Sequence, residues 1–385
     1  MLIKKFTLEI VKNILLLADL LASIRLRTIN TSDVALVRLD AIGDFVIWLD
    51  SARHIKSIYP ESRIVLIANS SWAELAMKIP YWDEVWSINL RKFNWDLLYR
   101  WKIMRKINMA CFFIAIQPTY SRVLLSGDSV IRVTAAKKRI GSIGNLDNIK
   151  QKDRILSNRW YTQLVPASNS TQMELNRNAE FLTGMTGKVY LAELQSLPLL
   201  VDASSEFNID KKYCVIFPGA SAIGKRWPVE NFLKICLVVS KNYGLQIVLC
   251  GSSDDMNICS RIATGISGAI NLAGKTTLAE LSAVIQNAEL VVSNDTSAIH
   301  ISAAVATPSV CILGGGHYGR FLPYPMEDSR KTPLAVSANM KCFGCNWRCT
   351  EIHDKKKPWP CISKIEVDAV IRKIDVILDH ANKNE

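Results

Sequence analysis

The stretch Ser293-Asn-Asp-Thr-Ser-Ala-Ile-His300 carries groups that bind anions and move protons, and it directly follows an apolar run at 290–292. Small polar residues between a strand-like run and an Ala-rich helical pattern at 298–306 favour a helix N-cap. The free N–H groups and dipole of such a helix form an anion site, worth about 0.3–1 kcal/mol and up to about 2 when partly buried. Thr296 and His300 are four residues apart, so both project beside that anion. A phosphate-bearing ligand fits. A purely structural role also fits, with Asp295 or Thr296 capping the helix and His300 satisfied in the core.

Further reactive residues lie in other loops. Asp44 closes the turn Leu39-Asp-Ala-Ile-Gly-Asp44. A carboxylate with an ordinary value near 3.9 is ionised at neutral pH and can accept a hydroxyl proton. The same position also suits an N-cap of the following helix. Lys225 lies in the loop Pro218-Gly-Ala-Ser-Ala-Ile-Gly-Lys-Arg-Trp-Pro228, which includes Gly219. Asp254 and the run Gly314-Gly-Gly316 occupy two more loops.

Positioning these residues requires strands that end beside them. Val34–Arg38 and the runs at 63–68, 84–88 and 110–116 read as strands alternating with helices, the rhythm of a parallel sheet. A second such rhythm starts at Tyr213 and continues through 246–250, 290–294 and 309–313. Polar 145–205, with one helix near 172–184, reads as a connection. Open α/β sheets bind ligands at the carboxyl ends of their strands, where these loops lie. Gly314-Gly-Gly-His-Tyr-Gly319 matches a dinucleotide fingerprint, but the prolines of Arg320-Phe-Leu-Pro-Tyr-Pro325 disfavour the helix that fingerprint needs.

Composition allows two domains of ordinary size: 385 residues, 49% hydrophobic and 21% charged. Two domains imply a cleft. A net charge of +12 is compatible with nucleic acid, an anionic membrane or a phosphorylated substrate. Neither a secretory signal nor a transmembrane span is evident, and six of the ten cysteines fall in apolar segments, so a reducing, cytoplasmic location is expected. Residues 1–27 read as an amphipathic helix with Ile3, Phe6, Ile10, Ile14, Leu17, Leu21 and Ile24 on one face and Lys5, Glu9, Lys12, Asp19 and Ser23 opposite. Such a helix lies in an anionic membrane interface or packs on the protein itself. On the first reading, a chain starting near Thr28 stays folded and loses vesicle binding.

Three motifs together, Arg38-Leu-Asp-Ala-Ile-Gly-Asp44, Phe217-Pro-Gly-Ala with Lys225-Arg-Trp-Pro228, and Ser293-Asn-Asp-Thr-Ser-Ala-Ile-His300, resemble those of glycosyltransferase family 9 over about residues 34–370. These are the ADP-heptose:lipopolysaccharide heptosyltransferases. The resemblance implies a GT-B fold of two Rossmann-like doubly wound domains facing across a cleft. After the amphipathic segment 1–27, it implies an acceptor domain with the connecting region over 28–200, a nucleotide-sugar domain over 201–364 and a final helix in 365–385 that packs back on the first domain. By match to the family pattern, Asp44 is the base and Lys225 the diphosphate contact. Gly219, Asp254, Asp295, Thr296, Ser297, His300 and Gly315 fall to the donor site; Ser297 stands where these enzymes often carry glycine. Transfer is expected to invert the sugar and to need no metal cofactor, and no Asp-x-Asp motif occurs. The implied partners are ADP-heptose, an acidic lipid-linked glycan acceptor and the inner face of an anionic membrane, not nucleic acid. A family 9 transferase with another donor, or a nucleotide-binding protein without turnover, is the alternative. Cys342, Cys345, Cys349 and Cys361 have a composition compatible with a structural zinc, free thiols or a disulfide.

Overall fold

The structure is a computed structural model that describes residues 2–24, 32–198, 206–325, 331–351, 353–354 and 356–382, with side chains from Glu9 to Asp379. The expected boundaries at 27/28 and 200/201 lie outside the described residues, as do the side chains of Ile3, Lys5 and Phe6. The chain forms two units: 1–170 with 176–192, and 171–175 with 193–385.

The first unit holds a parallel sheet of β1 (Val34–Arg38), β2 (Ile64–Asn69), β3 (Glu84–Ile88), β4 (Ile114–Gln117), β5 (Lys138–Ser142) and β6 (Gln163–Val165), in the order β3-β2-β1-β4-β5-β6. Runs such as Val-Ala-Leu-Val in β1 are apolar throughout because helices cover both faces of a parallel sheet, and every β1 residue is buried. β5, β6 and the helix Gln151–Asn158 were not expected from the sequence; the polar stretch read as a connection completes this sheet. Lys137-Lys-Arg139 leads into β5, where the Arg139 Nε donates to the Trp160 carbonyl at 2.5 Å.

The second unit repeats the plan with β7 (Tyr213–Phe217), β8 (Gln246–Leu249), β9 (Ile270–Asn271), β10 (Leu290–Asn294), β11 (Ser309–Ile312) and β12 (Leu334–Val336), in the order β12-β11-β10-β7-β8-β9. Numbered from its own first strand, this is the same 3-2-1-4-5-6 order. In each sheet the strand order reverses beside the first strand, between β1 and β4 and between β7 and β10. That reversal opens the crevice in which such sheets bind ligands.

Each unit carries one of the terminal helices. The final helix Val367–Asn382 places Val370, Ile374, Ile377 and Leu378 in the core of the second unit, against Val239 and Ile312, and Tyr243 Oη donates to Asp375. Its apolar stripe thus packs on its own sheet. The N-terminal helix α1 (Leu2–Ala22) packs on the helix Leu97–Met109 with Leu15, Asp19 and Ala22 inward. Asp19 and Arg100, both fully buried, pair through Nε–Oδ1 and Nη2–Oδ2 bonds of 2.6 Å each. The face expected to be polar and solvated is the packed one.

Candidate functional site

The crevice of the first sheet is built from the ends of β1 and β4. Beyond β1, the chain turns into α2 (Ile42–Ala52), whose N-cap is Ala41 with extended backbone. Asp44 is therefore not the cap that the local sequence allowed. It is the third residue of the helix, half-buried in the first turn, where the positive helix end favours a carboxylate. Beside it, the buried Arg38 donates through Nε to Asp40 and through Nη2 to the Asp44 carbonyl at 3.2 Å, and Nη1 meets Asn178 at 3.4 Å. Thr119, just past β4, donates to Asp40 Oδ2 at 3.3 Å, which ties the two strand ends together. Arg38 and Asp40 lie within the quoted motif, yet sequence reasoning assigned them nothing.

The crevice of the second sheet is built from the ends of β7 and β10. Asn294 is its organiser and was missed in the sequence: its amide nitrogen donates to the Pro218 and Gly219 carbonyls at 2.7 and 3.2 Å, and its oxygen accepts from the Trp227 N–H at 3.1 Å. These bonds hold the loop after β7 against the end of β10. Thr296 caps the helix Ser297–Ala304; its Oγ1 accepts from the Ala298 N–H and pairs with Ser293 Oγ at 3.0 Å. Ser297 opens the helix, half-buried. Lys225, at the end of a 3-10 turn, brings Nζ to 3.9 Å from Asp295 Oδ2. A cation, its carboxylate partner and a helix N-terminus thus meet at one switch point.

Of the remaining expected donor residues, Gly219, His300 and Gly315 have partners of their own. Burial pushes His300 down to about 4 and Asp295 only partly opposes that, so the ring is neutral at pH 7; its Nδ1 lies 3.1 Å from Tyr324 Oη, which also accepts from Gln195. This is the satisfied core histidine that the spacing equally allowed. Asp254 is exposed, whereas Asp255 is buried, accepts from the Ser252 N–H and hydroxyl, and packs where a side chain on Gly219 would stand. Gly219 is glycine to admit that carboxylate.

The Gly314-Gly-Gly316 run supports a neighbouring loop. The Gly344 and Asn346 N–H groups donate to the Gly315 and Gly316 carbonyls at 2.8 and 2.9 Å. A methyl group on Gly315 would overlap the Phe343 ring, and one on Gly316 the Trp347 ring. Trp347 stacks on Trp359 at 5.0 Å and lies 4.1 Å from Lys225 Nζ, so the Cys-rich loop supplies one wall for the lysine. His317 joins the same wall, with Nε2 2.6 Å from Asn346 Oδ1 and its ring edge-on to Trp347. Cys342, Cys345, Cys349 and Cys361 line one pocket with Trp347 and Trp359. Burial pushes the Cys361 thiol up, a backbone bond to Gly315 opposes this, and the other three thiols add to the rise. Among the described residues no three His, Cys, Asp or Glu side chains stand close enough to hold a metal ion.

Two doubly wound sheets in one chain, each with its reactive residues at the switch point, are the GT-B class of fold. A profile for "Glycosyltransferase family 9 (heptosyltransferase)" matches residues 131–353, more than half of the chain, and the protein belongs to that family. It is similar to lipopolysaccharide heptosyltransferase 3 of Escherichia coli K12, 37% identical over 124 residues that cover 30% of this chain and 35% of the relative. The chain thus spans about a third of that relative's length in the match. The solved E. coli ADP-heptose lipopolysaccharide heptosyltransferase II has the same fold at 16% identity, with a TM-score of 0.67 over 91% of this chain and 99% of that one. A dodecameric iron-containing heptosyltransferase, TibC, solved with ADP-D-β-D-heptose, matches with a TM-score of 0.52 at 12% identity over 92% of this chain and 78% of that one.

Proposed function

We propose that this protein is an inverting, metal-independent glycosyltransferase that moves heptose from ADP-heptose to a lipopolysaccharide core or related envelope glycan. The observation that carries this reading is the position of the reactive groups, Asp44 at the β1–β4 switch point and Lys225 with the Thr296-capped helix at the β7–β10 switch point, in a chain of family 9. Asp44 accepts the proton of the acceptor hydroxyl as its oxygen bonds to the anomeric carbon. The bond from that carbon to the diphosphate oxygen breaks, and ADP leaves with the electron pair. Charge grows on the diphosphate in that step, and the Lys225 ammonium and the helix N–H groups offset it. His300, neutral, contributes packing and hydrogen bonding through Tyr324 rather than charge.

The acceptor is acidic and lipid-linked in this reading, so the protein works at the inner face of an anionic membrane. The positive net charge supports that, and among the described residues no helix is long and apolar enough to cross a membrane. A structural metal on the Cys-rich loop belongs to the same reading, supported by four thiols on one pocket, although as placed they form no coordination group. Catalysis takes no step through it.

The test is ADP release from a panel of nucleotide-diphosphate sugars with a deacylated lipopolysaccharide core as acceptor. Turnover with ADP-heptose in the presence of EDTA is expected. Turnover with another donor alone would reassign the sugar, and binding of donors without turnover would mark a nucleotide-binding protein.

A further inference from the structure

α1 turns its polar residues inward. Lys12 donates to Asp153 at 3.0 Å, Asp19 pairs with Arg100, and Leu15 and Ala22 fill the seam, so packing occupies one side of the helix. The other side carries Ile10, Ile14, Leu17, Leu20, Leu21 and Ile24, each 45% to 57% exposed. These positions form a helical stripe of about four turns. A surface of that size is far more apolar than solvent contact favours, and continuous stripes of this kind mark interaction sites.

The stripe continues on its neighbour. The Asp19–Arg100 pair sets the register of α1 against the helix Leu97–Met109, which puts Trp101 at the level of Leu20. One turn on, Arg105 Nη1 donates to the Ile24 carbonyl at 2.5 Å. Leu98 and Trp101 of this helix and Trp95, which ends the preceding helix Leu90–Trp95, are all exposed, as are Arg91, Lys92 and Lys102 close to them in sequence. Asp96, the acid within this group, is engaged as the N-cap, accepting from the Tyr99 N–H at 2.9 Å. Exposed tryptophans beside lysine and arginine, bordering a leucine and isoleucine stripe, match the chemistry of a lipid interface: acyl chains for the stripe, the headgroup layer for the indoles, and anionic phosphate for the cations. A second protein copy would leave those cations facing their own kind across a symmetric contact.

We propose that this face, the outward stripe of α1 with Trp95, Leu98 and Trp101, is a lipid-docking surface that seats the first unit on an anionic bilayer. It deepens the membrane reading above by naming the surface, and it stands apart from the transfer chemistry. α1 is a fixed part of the unit, locked by its buried ion pair, so the surface is rigid and sets the orientation in which the first unit meets the membrane.

Flotation of the full chain with vesicles of phosphatidylglycerol and phosphatidylethanolamine tests this, together with quenching of tryptophan fluorescence by brominated lipid. Leu17→Glu with Leu21→Glu is expected to weaken vesicle binding at least about tenfold, because one buried leucine alone is worth about that much. Melting of this variant should match the parent, since both side chains are exposed. Vesicles of neutral phosphatidylcholine should bind more weakly than anionic ones, and brominated lipid should quench. Unchanged vesicle binding in the double variant would overturn the proposal. So would a parent dimer, seen by light scattering, that the variant dissociates without altering vesicle binding. ADP release on a deacylated, soluble acceptor is measured in parallel: normal turnover with lost vesicle binding supports the docking surface, while absent turnover in the parent refutes the transferase reading alone.

Discussion

Arg100→Met tests the structural role of α1. The guanidinium makes two bonds of 2.6 Å to Asp19, bonds of 2.9 and 3.3 Å to the Leu125 and Phe93 carbonyls, and stands 4.3 Å from the Phe93 ring. Both partners of the ion pair are fully buried. Removing one leaves the Asp19 carboxylate unpaired away from water, a change that costs about 3–5 kcal/mol. For a unit of this size that corresponds to a fall of about 6–20 °C in its melting temperature. Asp19→Leu combined with Arg100→Met removes both charges, and should recover most of the loss because a buried pair is worth little against apolar packing. The same reasoning revises the expectation for a chain starting near Thr28: it loses Asp19 and the seam residues Leu15 and Ala22, and so is destabilised as well as unable to dock. Calorimetry and chemical denaturation read these values. A single variant within about 1 kcal/mol of the parent, or a double variant no more stable than the single, would refute the argument.

Three further outcomes follow from the second unit. His300 is held near 4 in the folded protein against about 6.5 unfolded, so the unfolded chain binds the extra proton first as pH falls. Its contribution is fully present above about pH 6.5 and is lost toward pH 4, by up to about 3 kcal/mol; His300→Gln should flatten that part of the stability profile measured by urea denaturation at stepped pH. Trp347→Ala removes a wall of the Lys225 site and should weaken donor binding by calorimetry about threefold to tenfold, with Trp347→Phe partly restoring it, since a cation over an aromatic ring contributes about 0.5–2 kcal/mol. If the four thiols close on zinc, elemental analysis of the purified protein gives about one metal per chain, and Cys345→Ser lowers the melting temperature more than it lowers turnover per folded molecule; metal-free protein of normal stability would dispose of that site.

Much of the architecture was legible because buried parallel strands read as apolar runs: β1, β2, β7 and β10 stand where those runs fall. β5 and β6 were not, since Lys138, Arg139 and Gln163 dilute the signal at the side of the sheet where burial is partial. α1 misled for a different reason. Its period was correct, but which face packs depended on Arg100, 81 residues from its partner Asp19, and on Asp153, 141 residues from its partner Lys12. Lys225, Asp295 and Thr296 were found by type and spacing and do come together. Asn294, Arg38 and Trp347 were missed because each acts through backbone or ring contacts that no local pattern encodes. Gly315 and Gly316 have a reason that only the fold reveals, the aromatic rings of a loop that follows about 30 residues later.

The most direct test of the central claim is Asp44→Asn, which preserves shape and first-turn geometry but cannot take up the proton as a carboxylate does. ADP release with ADP-heptose and acceptor, alongside donor affinity by calorimetry, separates chemistry from binding. A fall in turnover of about 10²–10⁴-fold with donor affinity unchanged is the predicted result. Near-normal turnover would contradict the assignment of Asp44 as the base, and with it the division of labour between the two sheets.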